Sequence, residues 1–141
     1  QYERNVAAIF RTADAAGVKK IYLTGESKQP PFSAPMEHVS RFKEKDVEWQ
    51  YEPNSHFVIQ KLKREGYLVI AVELTNTAMP IEQFKGIANA NQKVALLFGS
   101  EMYGVTKDAL KNCDMSVFIP MYGKGASLNV STTVGIALYS F

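Results

Sequence analysis

Apolar positions in this chain recur at two spacings. Over residues 6–16, Ile9, Phe10 and Ala13 share one face at helical spacing, and Gly17 supplies a terminator. The short apolar run Ile21-Tyr22-Leu23 predicts a strand. Residues 25–36 hold Gly25 and three prolines among polar residues, the composition of a loop. A weaker helical pattern covers Met36–Lys43, and Val47–Tyr51 alternates as a half-exposed strand does. Asn54 or Ser55 can cap a helix that carries Val58 and Leu62 and stops at Gly66. Tyr67–Val72 is unbroken apolar sequence, which predicts a strand covered on both faces. Thr75–Gly86 reads as loop with one helical turn. Val94–Phe98 and Met115–Ile119 predict two further strands, with a short helix over Thr106–Lys111 between them. From Leu128 onward, Val130, Val134, Leu138 and Phe141 return to helical spacing, with Ser127 placed to cap the helix and Asn129 in its first turn. Helices alternating with short apolar strands define an α/β protein whose sheet is mostly parallel and flanked by helices.

A length of 141 residues predicts one domain, residues 1–141, with a core that needs no staples. Neither repeats nor a linker-like stretch divide it. Both ends look cut, since the chain opens almost directly on its first helix and stops at Phe141 inside an apolar helical pattern. The formal charge of +2 permits a nucleic-acid partner without demanding one. The single cysteine, Cys113, excludes an intrachain disulfide, and Cys113, His38 and His56 lack the spacing of metal ligands. No apolar run approaches the ~20 residues of a membrane span, and no leader peptide is visible. The expected location is cytoplasmic, without membrane attachment.

Chemistry concentrates in three segments. In Leu96–Gly104, a buried strand runs into a loop bounded by Gly99 and Gly104, with Glu101 between them. Ligands of open α/β sheets bind at such carboxyl ends of strands. The loop lacks the GxGxxG spacing of a nicotinamide site and the Lys-Ser/Thr ending of a phosphate-binding loop. As a bare turn with a solvated Glu, it would be equally well explained. In Ile119–Ser131, Gly123 and Gly125 separate a strand from a long helix. Ser127 is explained by capping, whereas Asn129 and Ser131 beside an apolar helix face require some partner. In Asn5–Ala13, Arg11 is by itself an ordinary surface arginine, and Asn5 an ordinary helix cap.

Taken together and in this order, the segments resemble the SpoU/TrmH family of RNA 2′-O-ribose methyltransferases. Asn5, Arg11 and Thr12 match the first family motif. Gly99, Glu101 and Gly104 match the second. Ile119-Pro120-Met121, the Gly123 loop and Ser127-Leu128-Asn129-Val130-Ser131 match the third, which is highly specific. The resemblance spans Asn5 to Phe141. The chain departs from the family pattern in having almost nothing before the first motif, in Ala7 where Gly is common, and in Thr132 and Thr133 where small apolar residues are usual. Larger family members often carry an appended RNA-binding domain, and none is expected within these 141 residues.

The resemblance implies a deep trefoil knot in the C-terminal part, although general connection rules argue against knots. It implies bound S-adenosylmethionine, held by Phe98, Gly99, Ile119, Met121, Ser127 and Leu128, with Met121 and Leu128 lining the adenine pocket. It also implies methyl transfer to a ribose 2′-hydroxyl of tRNA or rRNA, and a homodimer. Arg11 would stabilise the developing alkoxide or act through an RNA phosphate. Asn5, Glu101 and Asn129 would orient Arg11 and the ribose, with Ser127 assisting. Candidates for RNA contact are dispersed basic residues such as Lys19, Lys28, Arg41, Lys45 and Arg64, most of which read equally as ordinary solvated positions, while Tyr103 and Tyr122 read as aromatics that stack on a base or as buried packing. The main rival is a non-catalytic RNA-binding module of the same fold. It predicts damage at Asn5, Arg11 or Asn129, and all three are intact. Base methylation, a nucleotide-binding oxidoreductase and a hydrolase built on Ser127 have less in their favour.

Overall fold

The structure is a computed structural model that describes residues 2–86, 89, 91–125 and 127–141. It resolves into two compact units, Gln1–Ser55 and His56–Phe141. Where the sequence pattern offers no boundary, the division falls at the start of a helix, with no glycine- or serine-rich linker to mark it. The expected single sheet is two sheets, one in each unit, and every strand pairing in them is parallel.

In the first unit, α1 (Tyr2–Ala16) precedes β1 (Lys20–Thr24), α2 (Ala34–Ser40) and β2 (Glu48–Glu52). β1 and β2 pair with Ile21 opposite Trp49. Helix α1 starts four residues before the apolar pattern does. Its early start is favoured by Glu3, whose carboxylate meets the helix dipole and accepts the Ser33 amide at 2.7 Å. Ala7, Phe10, Leu23, Phe32 and Val47 form the core of this unit, with the Phe10 and Phe32 rings edge to face at 5.7 Å. Helix α2 ends on Arg41 at φ 55°, and Phe42 follows at φ 58° before a 3₁₀ turn over Lys43–Lys45. Each left-handed non-glycine residue costs roughly 1–2 kcal/mol.

In the second unit, α3 (Ser55–Arg64) leads into β3 (Leu68–Val72), followed by β4 (Met79–Pro80), β5 (Val94–Leu97), α4 (Lys107–Asn112), β6 (Met115–Phe118) and α5 (Val130–Leu138). The strand order is β4-β6-β3-β5. β3 is covered on both faces, as its unbroken apolar run predicts. Ile70 and Val72 join Ile81, Phe84, Val117 and Ala137 of α5, while Val69 joins Ile59 of α3, Val105 and Ala109 of α4. Thr106 caps α4, its hydroxyl accepting the Ala109 amide at 3.2 Å. The segment read as loop over Thr75–Gly86 contains the edge strand β4 and a 3₁₀ turn over Ile81–Gly86. Pro80 is tolerated there because an edge strand can spare an amide. Phe141 lies beyond the end of α5, not on it, and its ring meets Phe84 at 4.6 Å.

Among the described residues, no helix is long and apolar enough to cross a membrane, and no group of three His, Cys, Asp or Glu residues is placed to hold a metal.

Candidate active site

The loop after β5 folds back on itself. The Gly104 amide donates to the Ser100 carbonyl at 2.9 Å, and the Tyr103 amide to the Ser100 hydroxyl at 3.1 Å. This closure explains Gly99. A Cβ there would lie 2.0 Å from the Gly104 carbonyl carbon and 2.2 Å from the Val105 nitrogen. Gly104 is needed twice over, for its φ of +65° and because a Cβ would lie 2.6 Å from Oε2 of Glu73.

Glu73 was invisible in the sequence as a site residue. Its amide donates to the Val117 carbonyl at 2.9 Å, and its Oε2 accepts the Val105 amide at 2.9 Å. It thereby ties the exit of the 99–104 loop to the carboxyl ends of β3 and β6. The available signal was its position, an acidic residue directly after the longest buried run.

Glu101 is exposed at the tip of this loop, and its Oε1 accepts Nδ2 of Asn129 at 2.9 Å. Asn129 corrects one expectation. It, not Ser127, is the cap of α5, which begins at Val130. Its Oδ1 accepts both the Ser131 amide at 2.9 Å and the Ser131 hydroxyl at 2.6 Å. The two ends of one side-chain amide therefore do different work, one starting the helix and the other reaching the Gly99–Gly104 loop. Ser127 lies exposed ahead of the helix. This supplies the partner that Asn129 and Ser131 were expected to need.

The remaining candidates in this unit split by burial. Phe98 and Ile119 pack against the β3–α5 core. Met121 and Leu128 are 41% and 37% exposed. Among the described residues, nothing lies within 4 Å of where a Cβ on Gly123 or Gly125 would sit, and neither has a positive φ. The chain's own packing therefore gives no reason for glycine at either position. A cleft of about 310 Å³ opens elsewhere, lined by Thr75, Leu110, Cys113 and Ser116 among others, and none of the candidate residues borders it. Burial, with Asp114 adding to it, pushes the half-buried Cys113 thiol above its ordinary value of 9.0 to about 11.

In the first unit, Arg11 is exposed on α1, next to fully buried Phe10. Asn5 is not a cap, because α1 begins at Tyr2. It lies inside the helix, 7% exposed. Thr12 returns its hydroxyl to the Ala8 carbonyl at 3.1 Å, as a threonine within a helix commonly does.

These are the residues and loops of an α/β protein built to present backbone and small polar groups at strand ends. The pattern of the SpoU rRNA Methylase family matches residues 1–139, and the chain belongs to that family. It is 32% identical over 135 residues to a Thermus thermophilus tRNA (guanosine(18)-2′-O)-methyltransferase, covering 96% of this chain and 66% of that protein. It is 28% identical over 137 residues to the Borreliella burgdorferi enzyme of the same name, covering 97% of this chain and 60% of the relative. The chain thus spans less than two thirds of the length of these curated relatives. Among solved structures, the TrmH/SpoU tRNA modifying enzyme of Aquifex aeolicus superposes with a TM-score of 0.84 at 29% identity, covering 98% of this chain and 67% of that one. An AdoMet-bound rRNA methyltransferase from Sinorhizobium meliloti gives 0.86 at 27%, covering 98% and 51%.

Proposed function

We propose that this chain is a SpoU-type methyltransferase domain that transfers a methyl group from S-adenosylmethionine to a ribose 2′-hydroxyl of tRNA or rRNA, as a cytoplasmic homodimer. The observation that carries the reading is the Glu101–Asn129 hydrogen bond at 2.9 Å. It joins the loops that follow β5 and β6, and both partners belong to the motifs shared with the family. The named relatives are RNA 2′-O-methyltransferases.

The residues fit S-adenosylmethionine. Exposed Met121 and Leu128 offer apolar surface to an adenine ring, and the unencumbered backbone at Gly123 and Gly125 suits its polar groups. When bound, the cofactor supplies a methyl group on a positively charged sulfur. The chain's own work is then mostly positioning. The Arg11 guanidinium is proposed to stabilise negative charge growing on the 2′-oxygen, directly or through an RNA phosphate. Asn5, Glu101 and Asn129 are proposed to orient arginine and ribose. Phe98, Gly99, Ile119 and Ser127 complete the proposed cofactor site.

A trefoil knot is part of this proposal, and the strand order supports it. β6 lies between β3 and β4, although residues 73–78 alone connect those two strands. Parallel strands normally need a crossover of about a dozen residues or more. The short connection lies against β6, with the Thr75 and Ser116 hydroxyls 2.8 Å apart. A strand laid beneath an existing short connection is the ingredient of a threaded chain. The homodimer is supported by α5, whose end leaves Ile136, Tyr139 and Phe141 exposed.

The test is calorimetry with S-adenosylmethionine. Wild type is expected to bind at micromolar concentration and Leu128→Arg to bind at least about tenfold more weakly, a loss of 1.4 kcal/mol or more. Arg11→Ala should keep cofactor binding and lose ribose methylation of tRNA or rRNA. A folded wild type that binds no cofactor refutes the enzyme reading in favour of a non-catalytic RNA-binding module.

A further inference from the structure

Phe42 is held in a conformation that a phenylalanine disfavours, and it is 41% exposed. Two consecutive non-glycine residues, Arg41 and Phe42, sit at φ 55° and 58°, where glycine would sit without strain. Such strain persists only where the surroundings over-determine it, and it gathers at functional positions. Here the surroundings are identifiable. The buried Ser40 hydroxyl accepts the Phe42 amide at 3.1 Å and donates to Oε2 of buried Glu44 at 2.5 Å. The Phe42 amide also donates to the Glu37 carbonyl at 3.1 Å. Lys43 fastens the turn to α1 through Asp14 at 3.3 Å and closes it through Asp46 at 3.1 Å. Asp14 is one helical turn from Arg11 on the same side of α1.

Phe42 is 41% exposed, and its ring already carries a cation over it. Lys45 Nζ stands 5.1 Å from its centroid and His38 meets it edge-on at 6.0 Å. Arg41 and Lys45 are exposed cations on either side of it in sequence. An exposed flat aromatic flanked by cations on a rigid turn is the arrangement that takes an unpaired nucleobase and its phosphates.

We propose that Phe42 is a stacking platform for an unpaired base of the RNA, with Arg41 and Lys45 meeting the neighbouring phosphates. The inference rests on the RNA-methyltransferase reading only for the identity of the ligand as RNA.

Two labelled probes test it on the full chain by fluorescence anisotropy: an oligoadenylate and an abasic strand of the same length. Wild type should prefer the oligoadenylate. Phe42→Gly accepts the positive φ, so the fold is retained, and its affinity for the oligoadenylate should fall about fivefold or more. Its affinity for the abasic strand should not change, and Phe42→Trp should keep the preference. Lys45→Ala should weaken both probes and flatten the salt dependence. A wild type without base preference overturns the proposal. So does Phe42→Gly that binds oligoadenylate as wild type does, or that loses both probes equally. Cofactor calorimetry on the same samples separates the two readings. Absent cofactor binding with intact base preference removes the enzyme reading and leaves the platform. Normal cofactor binding with no base preference does the reverse.

Discussion

Gly99→Ala is the sharpest test of how the candidate site is built. The added Cβ would lie 2.0 Å from the Gly104 carbonyl carbon, 2.2 Å from the Val105 nitrogen and 2.4 Å from the Gly104 oxygen. Moving the nearest of these from 2.0 Å to 3.0 Å, below which real Cβ contacts essentially never occur, is a 1.0 Å displacement. All three atoms are backbone, so no rotamer change relieves the clash. The Val105 nitrogen is also held at 2.9 Å by the Glu73 carboxylate, and the Gly104 nitrogen at 2.9 Å by the Ser100 carbonyl. Breaking a hydrogen bond to a charged group costs about 1.5–3 kcal/mol, and overpacking costs about 1–3 kcal/mol. These overlap, because the displacement that relieves the clash is the one that breaks the bond, so about 3 kcal/mol is expected. For a chain of this size that lowers Tm by about 10 °C. Thermal denaturation followed by circular dichroism measures the stability, and S-adenosylmethionine calorimetry on the folded variant measures the loop. A Tm within about 2 °C of wild type would refute the close approach and, with it, the account of Glu73 as the anchor of the loop.

Gly123→Ala should behave in the opposite way. Nothing lies within 4 Å of its Cβ position, so stability should stay within about 0.5 kcal/mol, while cofactor affinity falls about tenfold. Unchanged affinity in calorimetry would reject a backbone role for that loop. Asn129→Ala removes the α5 cap and should cost about 1 kcal/mol by chemical denaturation. Asn129→Asp should retain the cap but set a carboxylate against Glu101, so cap and loop tie separate in the pair; equal stability of wild type and Asn129→Ala would count against the capping role. Cys113, raised to about 11 by burial, should resist alkylation at pH 8 until the chain unfolds. The sign follows from the neutral thiol being favoured in the fold. Its contribution is fully present below pH 9 and declines as pH rises toward 11, a decline that Cys113→Ala should abolish in denaturation curves taken across that range.

Much of the fold was legible because burial on two faces leaves an unmistakable trace. Tyr67–Val72, Val94–Phe98 and Met115–Ile119 all became strands to within a residue, and Thr106 caps its helix as its position predicts. The errors fall where two residues are locally equivalent. Ser127 and Asn129 are both good caps two positions apart, and nothing within a helical turn distinguishes them. The choice goes with Glu101, 28 residues away, which draws the far end of the Asn129 amide. Asn5 reads as a cap only if the helix is assumed to start at the first apolar residue. Glu3, held by the amide of Ser33, allows it to start earlier.

Apart from the edge strand β4 and the starts of α1 and α5, the sequence by itself determined most of the elements, the α/β class, the three motifs and therefore the family. Each of these depends on spacing within a few residues or on residue identity. The tertiary structure decided the division into two units, the cap of α5, the role of Glu73 and the exposure of a strained Phe42. Those depend on groups such as Glu73 and Val105, 32 residues apart, where a carboxylate and an amide must meet at 2.9 Å. Local preferences fix the conformation of a segment, but a hydrogen bond between segments exists only after the chain has packed, and no spacing in the sequence encodes its length.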